Sequence, residues 1–220
     1  MSIKAVIFDL DGTLLDTIDD ISNSMNEALI KYHLQPYTTE DYKYFVGSGV
    51  DELVQRVLNN QSADESLFQS VKTEYLHQYI NKQSEKTKPY SGVMTLLDSL
   101  KSLDIKVCVL SNKPDRDTQL VIKFYFPDYP FFQVVGKRAG YEIKPNPASA
   151  NEIVSLLQVR TDEVLYVGDT SVDMETAVNA KLIPIGVLWG FRKKEELIQS
   201  GAEYIISHPS EIIDIIEKRK

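Results

Sequence analysis

Apolar residues follow two rhythms along this chain. Short apolar runs occur at Ala5-Val6-Ile7-Phe8, Ile105 to Leu110 (interrupted once, by Lys106), Val164-Leu165-Tyr166-Val167 and Pro184 to Leu188. They are too short for helices, and they predict strands covered on both faces. Phe132 to Val135 and Tyr204-Ile205-Ile206 predict two shorter ones. Between the runs, apolar positions recur at intervals of three and four residues, as in Val93, Leu96, Leu97 and Leu100, or Ile153, Leu156 and Leu157. That spacing predicts amphipathic helices. Thr118 to Phe126, Met174 to Ala180 and the stretch after Ile206 read the same way. Strand and helix in alternation predict an α/β protein with a Rossmann-like, doubly wound, mostly parallel sheet.

One length of chain departs from this alternation. From Asp16 to about Lys88 the apolar positions are Ile18, Ile21, Met25 and Leu29, then Leu53, Val54, Val57 and Leu58, then Phe68, Val71, Tyr75, Leu76 and Tyr79. All of these suit helices, and no strand pattern interrupts them. Pro89-Tyr90-Ser91-Gly92 then punctuates the chain. The expected organisation is an α/β core at 1–15 and 89–220 with an inserted helical cap at 16–88.

Composition narrows the partners. The chain has 220 residues, with 24 basic against 32 acidic side chains and a formal charge of −8. An acidic surface disfavours nucleic acid and anionic membranes but leaves room for a local anion site. No run approaches the roughly 20 apolar residues of a membrane span. The N-terminal stretch lacks a signal-peptide pattern, so a cytoplasmic setting is expected. Cys108, the one cysteine, lies inside an apolar run and reads as core packing. No apolar stripe marks an oligomer seam, so a monomer or a homodimer is expected.

Polar residues gather where the apolar runs end. The first run ends at Asp9 and Asp11, the second at Ser111 and Asn112, and the third at Asp169 with Asp173 just beyond. Open parallel sheets bind ligands outside the carboxyl ends of their strands, so these groups can converge. Carboxylates about 4 Å apart repel by roughly 4 kcal/mol per pair at an effective dielectric of 20. Such a cluster needs protons or a cation, and an all-oxygen donor set beside a phosphate suits magnesium. Gly12, followed by Thr13, lets the backbone approach a ligand. Lys144, in Glu142-Ile143-Lys144-Pro145-Asn146-Pro147, offers a point charge on a loop stiffened by proline. Singly, each feature has an ordinary use as a turn, a helix cap or a solvated charge. Together, at strand ends of one sheet, they point to a phosphate site.

Asp9-Leu10-Asp11-Gly12-Thr13-Leu14-Leu15-Asp16-Thr17, Ser111-Asn112-Lys113-Pro114, Lys144-Pro145 and Gly168-Asp169-Thr170-Ser171-Val172-Asp173 resemble the ordered motifs of the haloacid dehalogenase superfamily. The resemblance spans the chain, cap included. Within the superfamily it is similar to the phosphoglycolate phosphatases, through Val46-Gly47-Ser48-Gly49-Val50 with Arg56 and through Gly186-Val187-Leu188-Trp189-Gly190-Phe191. One departure is Ser91, which stands before Gly92 where the family linker has proline.

The resemblance implies roles. Asp9 is then the nucleophile that becomes an aspartyl phosphate. Asp11 is the acid toward the leaving alcohol and the base toward water. Ser111 and Asn112 hold phosphoryl oxygens, and Lys144 neutralises charge. Magnesium is held by Asp9, the backbone carbonyl of Asp11 and Asp169, with Asp173 as a further ligand or as the partner of Lys144. Gly47, Ser48, Gly49 and Arg56 are candidates for contact with the rest of a small phosphorylated metabolite, 2-phosphoglycolate foremost. Arg56 has an equal alternative in a salt bridge with Asp51 or Glu52. Other readings left open are a broad phosphatase of sugar phosphates, nucleotides or pyrophosphate, a β-phosphoglucomutase-like phosphotransferase, and a non-catalytic phosphate-binding regulator.

Overall fold

The computed structural model describes residues 2–59, 61, 63–82 and 84–219. In chain order, β1 (Ala5–Phe8) and the short β2 (Leu15–Asp16) lead into α1 (Ile18–Lys31), α2 (Thr39–Phe45), α3 (Val50–Leu58) and α4 (Glu65–Lys82). The short β3 (Lys88–Pro89) follows, then α5 (Val93–Ser102), β4 (Lys106–Pro114), α6 (Asp115–Tyr125), β5 (Gln133–Lys137) and α7 (Ala148–Leu157). The chain ends with β6 (Val164–Gly168), α8 (Ser171–Asn179), β7 (Ile183–Val187), α9 (Lys194–Gln199), β8 (Tyr204–Ile206) and α10 (Glu211–Lys218).

Six strands form one sheet in the order β5-β4-β1-β6-β7-β8, and every pairing is parallel. The expected doubly wound α/β core is what forms. The apolar runs have their cause in its two cores. Val6, Phe8, Val107, Val109, Leu165 and Val167 join one cluster, while Ala5, Ile7, Cys108, Leu110, Val164 and Tyr166 join the other. Alternate residues of the same strands thus point to opposite faces, and both faces are covered by helices. Burial pushes the Cys108 thiol up to about 12, which suits packing rather than reactivity. Among the described residues no helix is long and apolar enough to cross a membrane.

The segment from α1 to α4 holds its own cluster, including Met25, Leu29, Tyr42, Val54, Val57, Val71 and Tyr75. Its chain enters and leaves through β2 and β3, which pair antiparallel, Leu15 with Pro89 and Asp16 with Lys88. Two-residue strands leave no periodicity to read, so the sequence gives no sign of them. The second core strand also runs longer than its apolar run. Pairing with β5 resumes at Pro114 opposite Lys137 after a register break, so Ser111 and Asn112 lie in the irregular end of β4 rather than beyond it. Likewise α6 starts at Asp115 rather than Thr118, because Asp115 and Asp117 favour a helix N-terminus.

Asp20 secures the return of the helical segment. Its buried carboxylate accepts from the backbone N–H of Lys86 (3.0 and 3.1 Å) and of Thr87 (2.8 Å), and from the Thr87 hydroxyl (2.7 Å). Asp20→Ala leaves these donors without an acceptor in a buried place and is expected to cost about 2–3 kcal/mol. Asp20→Asn, which keeps one acceptor oxygen, is expected to lose less. Urea denaturation of both variants checks this, and an Ala variant within about 0.5 kcal/mol of wild type would contradict it.

Candidate active site

Asp9 follows β1, and its backbone N–H donates to the Val167 carbonyl of β6 at 2.9 Å. This fixes its carboxylate, 6% exposed, between two strand ends. Lys144 reaches in from the loop before α7 and is 4% exposed. Its Nζ donates to Asp9 Oδ1 at 2.7 Å and to Asp173 Oδ1 at 2.7 Å. Asn112 holds that loop from β4. Its Oδ1 accepts from Lys144 N at 2.8 Å, while its Nδ2 donates to Lys144 O at 3.1 Å and to Gly47 O at 3.0 Å. The Lys144–Pro145 peptide bond is cis.

Asp173 has a second task. Its Oδ2 accepts from the backbone N–H of Thr170 (3.1 Å) and the Thr170 hydroxyl (2.7 Å), forming the capping box of α8. The cap aims the free oxygen of Asp173 at Lys144. Asp169, fully buried, accepts from the Thr13 hydroxyl at 3.0 Å and from the Phe191 N–H at 2.8 Å. The Trp189 indole donates to Thr13 O at 3.0 Å and holds that turn. Two glycines make room, because a Cβ on Gly12 or Gly190 would run into the Asp169 side chain. Gly12 also has φ +92°, a left-handed conformation that glycine adopts without strain.

The charges do not balance without help. One oxygen from each of Asp9, Asp169 and Asp173 lies within 4.8 Å of the others, and all three residues are buried. Burial, then repulsion from Asp173, pushes the Asp9 carboxyl well above its ordinary value, against the pull of Lys144. Burial and the Asp173 charge raise Asp169 to about 7, against the Phe191 N–H and Thr13. Burial works to lower Lys144, but Asp173 and Asp9 outweigh it and hold the ammonium above its usual range. One ammonium therefore faces three carboxylates in a dry place. A divalent cation fits this excess of hard oxygen donors.

A cavity of ≈ 60 Å³ opens beside Asp9 and Asp11, between the strand ends and the helices. Ile21, Leu53, Tyr75 and Tyr79 of the helical segment wall it. Gly47 and Gly49 border it, as expected for close backbone approach, with φ +109° and +85°. A Cβ on Gly49 would stand 3.3 Å from the Asn112 carbonyl. Ser111 also lines the cavity, and its Oγ accepts from Lys113 N at 3.2 Å.

Three further candidate residues stand outside the acidic trio. Asp11 contributes its carboxylate not to the acidic trio but to Lys113, whose Nζ donates to both of its oxygens at 3.0 and 2.9 Å. Ser48 lines an outer cleft alongside Pro145 rather than the cavity. Arg56 takes the alternative of a structural tie. It donates to Glu52 at 2.9 Å, to the Tyr44 and Phe45 carbonyls at 3.1 and 3.0 Å, and to Ser48 Oγ at 3.3 Å. Glu52 stands one helical turn before it, and the carbonyls are those that α2 leaves open at its end. Sequence reasoning passed over Lys113, Tyr79 and the Phe191 N–H. Lys113 was readable only as a motif neighbour, Tyr79 as one step of an apolar stripe, and a backbone donor leaves no trace in residue identity.

The haloacid dehalogenase-like hydrolase family model matches residues 6–187. A phosphoglycolate phosphatase of Neisseria meningitidis is 30% identical over 225 residues, covering 99% of this chain and 95% of that protein. One from Aquifex aeolicus is 27% identical, covering 97% of each. The crystal structure of a predicted phosphoglycolate phosphatase from Haemophilus somnus superposes with a TM-score of 0.92 at 26% identity, covering 98% of each chain.

The Asp169 carboxyl predicts a linked effect of pH and metal. Its proton is held up to about 7 in the metal-free fold but only to near 3.8 in the unfolded chain. The stability it contributes is therefore full at low pH and lost as pH rises through about 7. Mg2+ is expected to raise the thermal midpoint by several degrees at about pH 8 and by little at about pH 5.5, where protons compete for the site. Calorimetry with Mg2+ and with chelator checks this. A midpoint indifferent to Mg2+ at both values would count against a cation at the trio.

Proposed function

The chain belongs to the haloacid dehalogenase-like hydrolase family and is a phosphoric monoester hydrolase, and within that class we propose that it hydrolyses a small phosphorylated metabolite, 2-phosphoglycolate foremost, through an aspartyl phosphate on Asp9. The observation that carries this reading is the row of buried charges Asp173–Lys144–Asp9, with Asp11 two residues beyond Asp9. The names of the relatives support the choice of substrate, and so does a cavity of ≈ 60 Å³ that suits a short leaving group.

The steps follow from what each side chain can do. Asp9 Oδ attacks phosphorus, and the bond from phosphorus to the ester oxygen breaks. Lys144 lowers the repulsion between the incoming carboxylate and the phosphoryl oxygens, a preorganised charge in a dry site. Ser111 and Asn112 orient those oxygens. Asp11, taking up a proton as it leaves Lys113 for the ester oxygen, gives that proton to the leaving alkoxide. It then takes one from the water that attacks phosphorus, which frees Asp9 and releases inorganic phosphate. Magnesium, held by Asp9, Asp169 and the Asp11 carbonyl with Asp173 beside them, would supply further positive charge against the phosphoryl oxygens. Residues 16–88 serve as a cap that excludes bulk water, with β2 and β3 as the crossing. We assign the protein to the cytoplasm, acting as a monomer or homodimer without nucleic acid.

Phosphate release from a panel of phosphomonoesters, with Mg2+ and with chelator, tests the function. Strong Mg2+-dependent release from 2-phosphoglycolate is expected, and activity spread evenly over sugar phosphates would overturn the substrate. Asp9→Asn is expected to lower kcat at least about 10³-fold. Asp11→Asn is expected to lower it about 10²- to 10⁴-fold, and full turnover in that variant would refute the acid–base role.

A further inference from the structure

Lys113 is not used by the steps above. Among the described residues lining the cavity it is the one cation. It is 8% exposed, and its Nζ contacts three acceptors, both oxygens of Asp11 at 3.0 and 2.9 Å and the Tyr79 hydroxyl at 2.8 Å. Lys113 comes from β4 and Tyr79 from α4, so the pair joins the sheet to the helical segment. Around them the walls include Ile21, Val50, Leu53 and Leu76.

A buried ammonium in an apolar cavity needs an anion beside it, because its lost hydration is replaced only by a close, hydrogen-bonded partner. In the ligand-free fold Asp11 is that partner. When Asp11 turns to the ester oxygen, Lys113 loses it. A neutral leaving group would strand the charge, whereas an anionic one would replace Asp11. We propose that Lys113, assisted by the Tyr79 hydroxyl, is the receptor for a carboxylate carried by the leaving alcohol, which makes the substrates phosphate esters of short hydroxy acids. This rests on the phosphomonoesterase reading of the site. Two dimensions limit the acid. Asp11 must reach the ester oxygen and also lies 2.9 Å from Nζ, so few atoms separate the ester oxygen from the carboxylate. The cavity, ≈ 60 Å³, is small, which favours a short acid over a nucleoside. Asp117 also lines the cavity, with Lys113 opposing the upward push of burial on its carboxyl, so an incoming carboxylate depends on this ammonium to offset a second negative neighbour.

The test compares kcat/KM for matched esters that differ in the carboxylate. The pairs are 2-phosphoglycolate against 2-hydroxyethyl phosphate, and 2-phospholactate against its alcohol counterpart. Wild type is expected to prefer the carboxylates by about 10²-fold, the scale of a buried charged hydrogen-bonded pair. Lys113→Gln is expected to bring that ratio to near one, chiefly through KM. Tyr79→Phe, which removes a single hydroxyl, is expected to reduce the ratio about 5- to 10-fold and guards against a Lys113 variant that folds poorly. Thermal midpoints are recorded for both. If both members of a pair fall together in Lys113→Gln and the ratio persists, Lys113 acts only through Asp11 and the proposal is overturned. A wild type with no preference in either pair overturns it as well. A wild type that ignores phosphoglycolate, yet shows a preference on phospholactate that Lys113→Gln erases, would sink the phosphoglycolate assignment and leave the carboxylate receptor standing.

Discussion

The ammonium of Lys144 stands between Asp9 and Asp173, at 2.7 Å from each, in a place where all three side chains are buried. Much of the surrounding architecture keeps that row together. Asn112 clamps the Lys144 backbone from both its N–H and its carbonyl. Thr170 secures the other oxygen of Asp173 while starting α8. Strand pairing of β1 with β6 sets Asp9 opposite the turn that bears Asp169. Breaking a buried pair by removing one member typically costs 3–5 kcal/mol, more than an exposed bridge is worth. The strand ends, the cap of α8 and the loop before α7 therefore meet in one electrostatic arrangement, and the same excess of negative charge gives a cation its place.

The second constraint is closeness of backbone. The turn after β1 and the segment at Trp189–Phe191 both press on Asp169, and only glycine at 12 and 190 permits it. Trp189 then bonds to the Thr13 carbonyl of that turn, and Phe191 bonds to Asp169. Arg192 continues the same segment outward, donating to the Val46 carbonyl at 3.0 Å. Acidic cluster and helical segment are thus tied through four consecutive residues, 189–192.

The sheet was legible because its strands are buried on both faces, which leaves apolar runs in the sequence. The acidic residues were legible because they close those runs. What stayed hidden has physical reasons. The β2–β3 pairing is too short to carry a period. The end of β4 breaks register, so Ser111 and Asn112 read as residues beyond a strand. Tyr79 repeats the spacing of Val71 and Tyr75, and nothing in the spacing separates a packing ring from one whose hydroxyl meets an ammonium. Arg56 carried two readings of equal standing. Open carbonyls at the end of α2 decided between them, and carbonyls are the same in every sequence.

The pairing of Asp16 with Lys88 brings the two ends of the helical segment side by side. The sheet order around β1 depends on β4 and β6, and neither contact passes through that segment. A length of chain whose ends coincide can be lengthened, shortened or exchanged without altering the path of anything else. The acidic cluster and most of the apolar wall of its cavity are therefore written on separable stretches of sequence. Inheritance can revise one while conserving the other, with β4 as the place where a change in the wall must still be matched by a residue of the sheet.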